Sequence, residues 1–515
     1  MALATFWLPT ASATLKDDIG FTELSALLGA SLPDGGGLPV FQIEAPLCDP
    51  ANTLCPDENN PPTLWIADAA HPEFAGKTIT SLGDPPSPSP SGHATAVGRY
   101  FYGLTLSMSP GITDIGAYNV DSWFLDYLFP NGLVLAVPAP TSYRVANHSW
   151  VGTGGSDPAQ TSTALRHADW VSDVDELAQV YGANNGGNRV YFATALNGII
   201  AGITAGTSAN GVIALDDIYV AGRPALHLVA PVANTSTAAG VISSATALLM
   251  DAVNQNPSWS DASSSNRAGV LIYNAERVET LKAALMAGAS RLTINTSAQG
   301  DINDYRALPA NRTVNGLDWR YGAGQLNVLQ SYQVLAAGES SSMEDDSGST
   351  NLGFTGFDHD ESFGGAGGSN VVATYDLGMS NAKMELGVAL VWHLSVVGAP
   401  IRGNPVNFDE TAVLHNLDLE LVDVSNGNTV IAASNSSIDN TENIWQTLQP
   451  DTHYQLRVTR AAGQGDFEWD YSIAWAASPI PIINNIPMPL WMLGVLGLGL
   501  AGICHRVIVN RHHRG

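Results

Sequence analysis

The run Asn234-Thr235-Ser236-Thr237-Ala238-Ala239 opens a long helix-like stretch that continues to Val253. A helix N-terminus offers unsatisfied backbone N–H groups and the positive end of the helix dipole. A serine there has anion-stabilising groups beside its hydroxyl, which suits a nucleophile that attacks a carbonyl. Ser236 is therefore the candidate nucleophile, although the same position also suits Thr235 or Ser236 as a plain helix cap. Three segments upstream pair glycine with a chemically capable side chain. Gly35-Gly36-Gly37-Leu38-Pro39-Val40-Phe41-Gln42-Ile43 leads to Glu44; Gly92-His93-Ala94-Thr95-Ala96-Val97-Gly98 sets an imidazole among small residues; Gly182-Ala183-Asn184-Asn185-Gly186 follows the strand-like Leu177 to Tyr181. Asn-Asn-Gly is also ordinary turn chemistry.

These side chains need elements to hold them. Residues 20–338 alternate short β-like and helix-like runs, which predicts an α/β layer architecture with helices flanking a sheet. The Ser/Gly/Asp-rich stretch 339–352 reads as a linker. Over 353–477, segments such as LGVALVW, LDLELVDV and YQLRVTR recur between Asn, Gly and Asp turns, predicting an antiparallel β-sandwich. Alternation puts Leu417, Leu419 and Leu421 on one strand face and the intervening acids on the other.

In their order along the chain, Glu44, His93, the asparagine turn and Ser236 resemble the subtilisin-like serine proteases, and the similarity spans roughly Gly20 to Gly338. His71-Pro72-Glu73-Phe74-Ala75-Gly76, Asn197-Gly198 and Tyr321-Gly322-Ala323-Gly324 resemble further landmarks of that family. The resemblance implies a subtilisin-like parallel sheet and a serine endopeptidase that cleaves protein or peptide substrates through an acyl-enzyme on Ser236. It makes His93 the general base, since a serine hydroxyl is a poor nucleophile until an imidazole takes its proton. It makes Glu44 the acid that orients His93, with Asp68 the other candidate, and Asn184 the oxyanion donor, with Asn185 the other candidate. Several positions depart from the family pattern: Glu44 stands for Asp, Asn234 for Gly, Gly240 for Pro, and Ala94 and Ala96 for Gly and His. Asn234 can adopt the left-handed dihedrals that Gly otherwise supplies. These departures keep a second reading open, a catalytically inactive surface scaffold or adhesin. Catalysis requires no cofactor; structural calcium suits such proteins, but no ligand run assigns it.

The ends of the chain set the compartment. Ile486 to Cys504 carries no charge and is followed by a basic tail, residues 505–515, as expected of a C-terminal transmembrane helix with a cytoplasmic end. Pro487-Met488-Pro489, the apolar helix and the terminal arginines resemble PEP-CTERM sorting signals, which implies exosortase-like sorting machinery and a bacterial membrane as partners. Residues 1–13 resemble the remnant of a signal peptide. Export and a cell-surface or extracellular location follow. Cys48 and Cys55 could then form a disulfide, whereas Cys504 lies in a different setting. Lys+Arg total 21 against 48 Asp+Glu, a net charge of −27 over 515 residues, so the chain has little means of assembling the basic patch that nucleic acid requires.

Overall fold

The computed structural model describes residues 14–48, 63–84, 88–152, 157–187, 191–297, 299–303, 305–346, 348–396 and 411–480. The expected signal-peptide remnant, transmembrane or sorting helix and basic tail all lie outside these residues, as do Cys55 and Cys504. Cys48 is disulfide-bonded.

Seven parallel strands form the central sheet: β1 (Val40–Glu44), β2 (Thr78–Ser81), β3 (Asp114–Asn119), β4 (Val145–His148), β5 (Ala178–Gly182), β6 (Ile199–Ile203) and β7 (Leu228–Ala230). Their order is β2-β3-β1-β4-β5-β6-β7. After β1 the chain crosses to the far edge for β2, returns to lay β3 beside β1, and then builds outward on the other side from β4 to β7, so β1 marks the point where strand order reverses. Crevices at the carboxyl ends of parallel strands open at such points.

The helices are α1 (Phe21–Leu28), α2 (Gly92–Phe101), α3 (Pro158–Val174), α4 (Thr235–Gln255), α5 (Val278–Ala287) and α6 (Val328–Ala336). Both sheet faces are covered, which is why β1, β5 and β6 are buried along their whole length. Val40, Val180 and Ile199 join one core with Ala94, Ile242, Leu249, Leu281 and Leu335 of the helices. Phe41, Ile43, Tyr181 and Ile200 join the other, with Trp123, Leu165 and Val171. Since side chains alternate across a strand, Gln42 and Glu44 share the face of Val40, the one covered by α2 and α4. Among the described residues α4 is the one helix long and apolar enough to cross a membrane, and it is 89% buried as the central core helix of this layer.

The expected sandwich is present as two antiparallel sheets. Its strands are β8 (Thr355–Phe363), β9 (Val372–Ser380), β10 (Met384–Val391), β11 (Leu417–Asp423), β12 (Thr429–Ser434), β13 (Thr441–Leu448), β14 (Thr452–Arg460) and β15 (Trp469–Pro479). They are ordered β8-β15-β10-β13 and β9-β14-β11-β12. Leu417, Leu419 and Leu421 face a core shared with Tyr375, Leu390, Leu456 and Trp475. Residues 339–352 connect the two parts while tied to both. Glu339 donates its N–H to the Trp259 carbonyl at 2.8 Å, and Leu352 donates to the Asp376 carbonyl at 2.8 Å. The described residues from Thr14 to Ser478 form one compact unit.

Candidate active site

His93 is the second residue of α2, whose start is set by Ser91: its hydroxyl accepts from the Ala94 N–H at 3.3 Å. Glu44 ends β1 on the face that α2 covers. The two meet through His93 Nδ1 and Glu44 Oε2 at 2.8 Å, with side-chain exposures of 43% for the imidazole and 2% for the carboxylate. The carboxylate is thus buried, while the opposite edge of the ring, carrying Nε2, lies on the open side. Burial pushes the Glu44 carboxyl up, against the hydrogen bond and charge of His93. The hydrogen bond to Glu44 raises the His93 imidazole above its ordinary value, against its partial burial. Asp68 is engaged elsewhere: its carboxylate accepts from the Ala70 N–H at 3.0 Å and its own N–H donates to the Thr95 hydroxyl at 2.9 Å.

Glu44 is itself held. The buried Gln42, two residues earlier on the same strand face, donates its amide Nε2 to Glu44 Oε1 at 2.8 Å and to the Ala94 carbonyl at 2.9 Å. Tyr102, fully buried at the end of α2, donates its hydroxyl to Gln42 Oε1 at 2.5 Å. A Cβ on Gly98 would lie 2.6 Å from that hydroxyl, so a glycine one turn before Tyr102 gives the ring its place. Gln42 and Tyr102 escape sequence reasoning. The period-two link from Gln42 to Glu44 is visible in the strand, but nothing local marks either residue as polar support.

The start of α4 answers the capping question. Asn234 is the cap: its side-chain oxygen accepts from the Thr237 N–H at 2.8 Å. Its backbone is extended (φ −151°, ψ 160°), so the left-handed freedom of asparagine is not used here. Asparagine stands here for its side-chain oxygen. The Thr235 N–H and hydroxyl both donate to Asn185 Oδ1, at 2.8 and 3.1 Å. The N–H groups of Thr235 and Thr237 are therefore taken, and among the described residues the N–H of Ser236 between them has no protein acceptor. Ser236 is half-buried, and its carbonyl accepts from the Ser149 hydroxyl at 3.0 Å.

Both helix starts stand at the carboxyl edge of the sheet, on one face. Ser149, which anchors Ser236, follows β4 and donates its N–H to the Ile43 carbonyl at 3.3 Å, beside Glu44 on β1. A Cβ on Gly182, at the end of β5, would lie 3.1 Å from the Thr235 carbonyl, so the chain entering α4 passes directly over that glycine. The helices run the same way and touch where a Cβ on Gly240 would lie 3.1 Å from the Val97 carbonyl. His93 is one turn before Val97 and Ser236 one turn before Gly240, which sets both side chains at the same end of the helix pair. Of the two asparagines, Asn185 is the one whose side chain reaches this turn. Asn184 is seen through its backbone, whose carbonyl accepts from the Ala209 N–H at 3.0 Å.

Because Asn185 Oδ1 takes two donors, its Nδ2 is the group left to donate outward. Close to the sheet edge, Trp150 and Phe124 have ring centroids 5.9 Å apart. Phe124, Phe129, Ala164 and Tyr191 help line a cleft of about 180 Å³. The geometry thus gathers a carboxylate-held imidazole, a helix-start serine and an asparagine amide at one end of the helix pair.

No family model matches the chain, and no curated protein sequence matches it. Several solved structures, among them subtilisin-like proteases, are similar to parts of this chain at low identity. The prenylagaramide maturation protease PagA is 16% identical, with 61% of this chain and 98% of that one covered and a TM-score of 0.35. A cold-adapted subtilisin-like serine proteinase is 16% identical over 52% of this chain and 89% of that one, with a TM-score of 0.30. The pre-peptidase C-terminal domain of a Bacillus anthracis collagenase is 13% identical over 23% of this chain and 86% of that one, with a TM-score of 0.16.

Proposed function

We propose that this chain is an exported serine endopeptidase that hydrolyses peptide bonds through an acyl-enzyme on Ser236, sorted or tethered by its C-terminal apolar segment. The observation that carries the reading is the Glu44–His93 hydrogen bond at the helix end shared with Ser236, whose own N–H is free to donate.

Glu44 accepts from Nδ1–H, which leaves Nε2 as the basic nitrogen. His93 Nε2 takes the hydroxyl proton as Ser236 Oγ attacks the scissile carbonyl carbon. Negative charge then develops on the carbonyl oxygen, where the Ser236 N–H and Asn185 Nδ2 donate to it. The imidazolium is stabilised by the buried Glu44 carboxylate and returns its proton to the leaving amine. Water repeats the cycle on the ester, with His93 again the base. In this reading Asn185 replaces Asn184 as the side-chain donor, and the Phe124/Tyr191 cleft accepts a substrate side chain.

A fluorophosphonate probe is expected to label the wild-type chain, with the adduct mapped to Ser236 by mass spectrometry, and to leave Ser236→Ala unlabelled. Equal labelling of both would refute the mechanism. A folded wild-type protein with neither labelling nor hydrolysis of unfolded casein would favour an inactive scaffold instead.

A further inference from the structure

Where the α/β part meets the sandwich, acids and imidazoles are gathered far from any role in serine chemistry. Glu279 on α5, His359 on β8 and Asp470 on β15 each offer a ligand atom, all within 4.8 Å of one another. His393, just after β10, brings a second imidazole: its Nε2 is 3.5 Å from Glu279 Oε2, while His359 Nδ1 is 3.5 Å from Glu279 Oε1. The His393–Glu279 separation, between two atoms that could both ligate, is long for a hydrogen bond and close to the roughly 3.4 Å between ligand atoms that each stand about 2.1 Å from a tetrahedral metal.

The unpaired atoms point the same way. Glu279, His359 and His393 have side-chain exposures of 3%, 1% and 2%. Yet among the described residues Glu279 Oε2, His359 Nε2 and His393 Nε2 have no hydrogen-bond partner. A buried polar atom left bare costs about 1–3 kcal/mol, and three such atoms in one cluster are an unusual concentration. Each imidazole is meanwhile held from behind by its other nitrogen. His393 Nδ1 faces Asp173 Oδ1 at 3.3 Å, and His359 Nδ1 meets the Ser472 hydroxyl at 3.1 Å. An outer carboxylate or hydroxyl that orients an imidazole is how proteins prepare a metal ligand.

Charge completes the case. Arg277, the neighbouring cation, pairs with Glu176 at 2.7 Å. Among the described residues Glu279, Asp470 and Asp173 take no ion pair from lysine or arginine. The charge of Arg277 reaches Glu279 and Asp470 without a direct pair, and a buried carboxylate such as Glu279 keeps its charge only with a cation or strong donors beside it. Mixed imidazole and carboxylate donors suit zinc and differ from the all-oxygen sets of calcium and magnesium.

We propose that Glu279, His359, His393 and Asp470 form a zinc site that clips the sandwich to the α/β layer, with Asp173 and Ser472 orienting the two imidazoles. Asp470, partly exposed where Glu279, His359 and His393 are buried, gives the ion its way in.

The test uses the full chain, stripped of metal with a chelator and dialysed. Zinc titrated against a chromophoric competitor is expected to bind at one equivalent, and saturation to raise Tm by about 5 °C. Cobalt(II) at the same site should show the visible absorption of a tetrahedral complex. His393→Ala and Glu279→Gln should each lower bound zinc below about 0.2 equivalents. If either variant fails to fold, the wild-type zinc and cobalt titrations decide alone. No zinc bound at micromolar free metal, stabilisation by calcium but not zinc, or full zinc retention in both variants would overturn the site. Zinc binding that persists in Ser236→Ala would show the clip to be independent of the proposed chemistry.

Discussion

Glu44→Gln is the substitution that tests the proposed mechanism most sharply, because the surroundings of Glu44 dictate which way a glutamine must face. Glu44 accepts at both oxygens, from Gln42 Nε2 and from His93 Nδ1, each at 2.8 Å. Glutamine can accept at only one. Gln42 cannot turn to relieve this: its Nε2 also donates to the Ala94 carbonyl at 2.9 Å, which can only accept. The lowest-energy arrangement therefore turns the new carbonyl towards Gln42 and the new amide towards His93. His93 must then carry its proton on Nε2, the wrong tautomer for a base. Loss of kcat by about 10⁴ is expected, equivalent to about 5.5 kcal/mol of transition-state stabilisation, with Tm little changed. Glu44→Ala leaves the tautomer free and should lose less than Glu44→Gln, despite removing more of the side chain. Steady-state kinetics on a fluorogenic peptide, with thermal unfolding measured in parallel, would decide. A Glu44→Gln enzyme within fivefold of wild type, or an alanine variant worse than the glutamine one, would refute the reasoning.

Three further outcomes are expected. Asn185→Asp retains the acceptor that holds Thr235 but removes the outward donor, so kcat should fall by about 10²–10³ while Tm holds; Asn184→Ala should stay within a few-fold, and the reverse pattern would restore Asn184 as the donor. Because the Glu44 hydrogen bond raises the His93 imidazole, the acid limb of kcat/KM should have its midpoint above about 6.5 and move down in Glu44→Ala. The same raised value fixes the sign for stability: what the Glu44 contact contributes is fully present below about pH 6.5 and is lost as pH rises through the folded value, which a set of Tm measurements across that window would register.

His93 and Ser236 are legible in the sequence because each opens a helix, and helix starts carry local signatures of capping and small residues. Glu44 is legible as the end of a glycine-led strand. What could not be read depends on tertiary contact. Tyr102 and Gln42 are separated by 60 residues, and only the docking of α2 on β1 joins them. Motif spacing favoured Asn184, but the path of the loop over the sheet edge delivers Asn185 to Thr235, a distinction that spacing cannot carry. Asn234 offers backbone freedom and serves instead through its side chain. The Glu279, His359, His393 and Asp470 group draws single residues from one helix and three places in the sandwich, so no local spacing signals it. The alternation of β11, in contrast, needed only periodicity and is found as expected.

The bonds that tie Gln42 and Glu44 to His93 and Ala94 make one strand and one helix turn a self-contained cassette. The imidazole is aimed by partners that travel with it, so length changes in the chain between Glu44 and β2 need not detune the base, provided β2 and the Ser91 cap are kept. Diversification of such a protein should concentrate there, and chimeras that exchange this stretch while keeping both ends should remain competent.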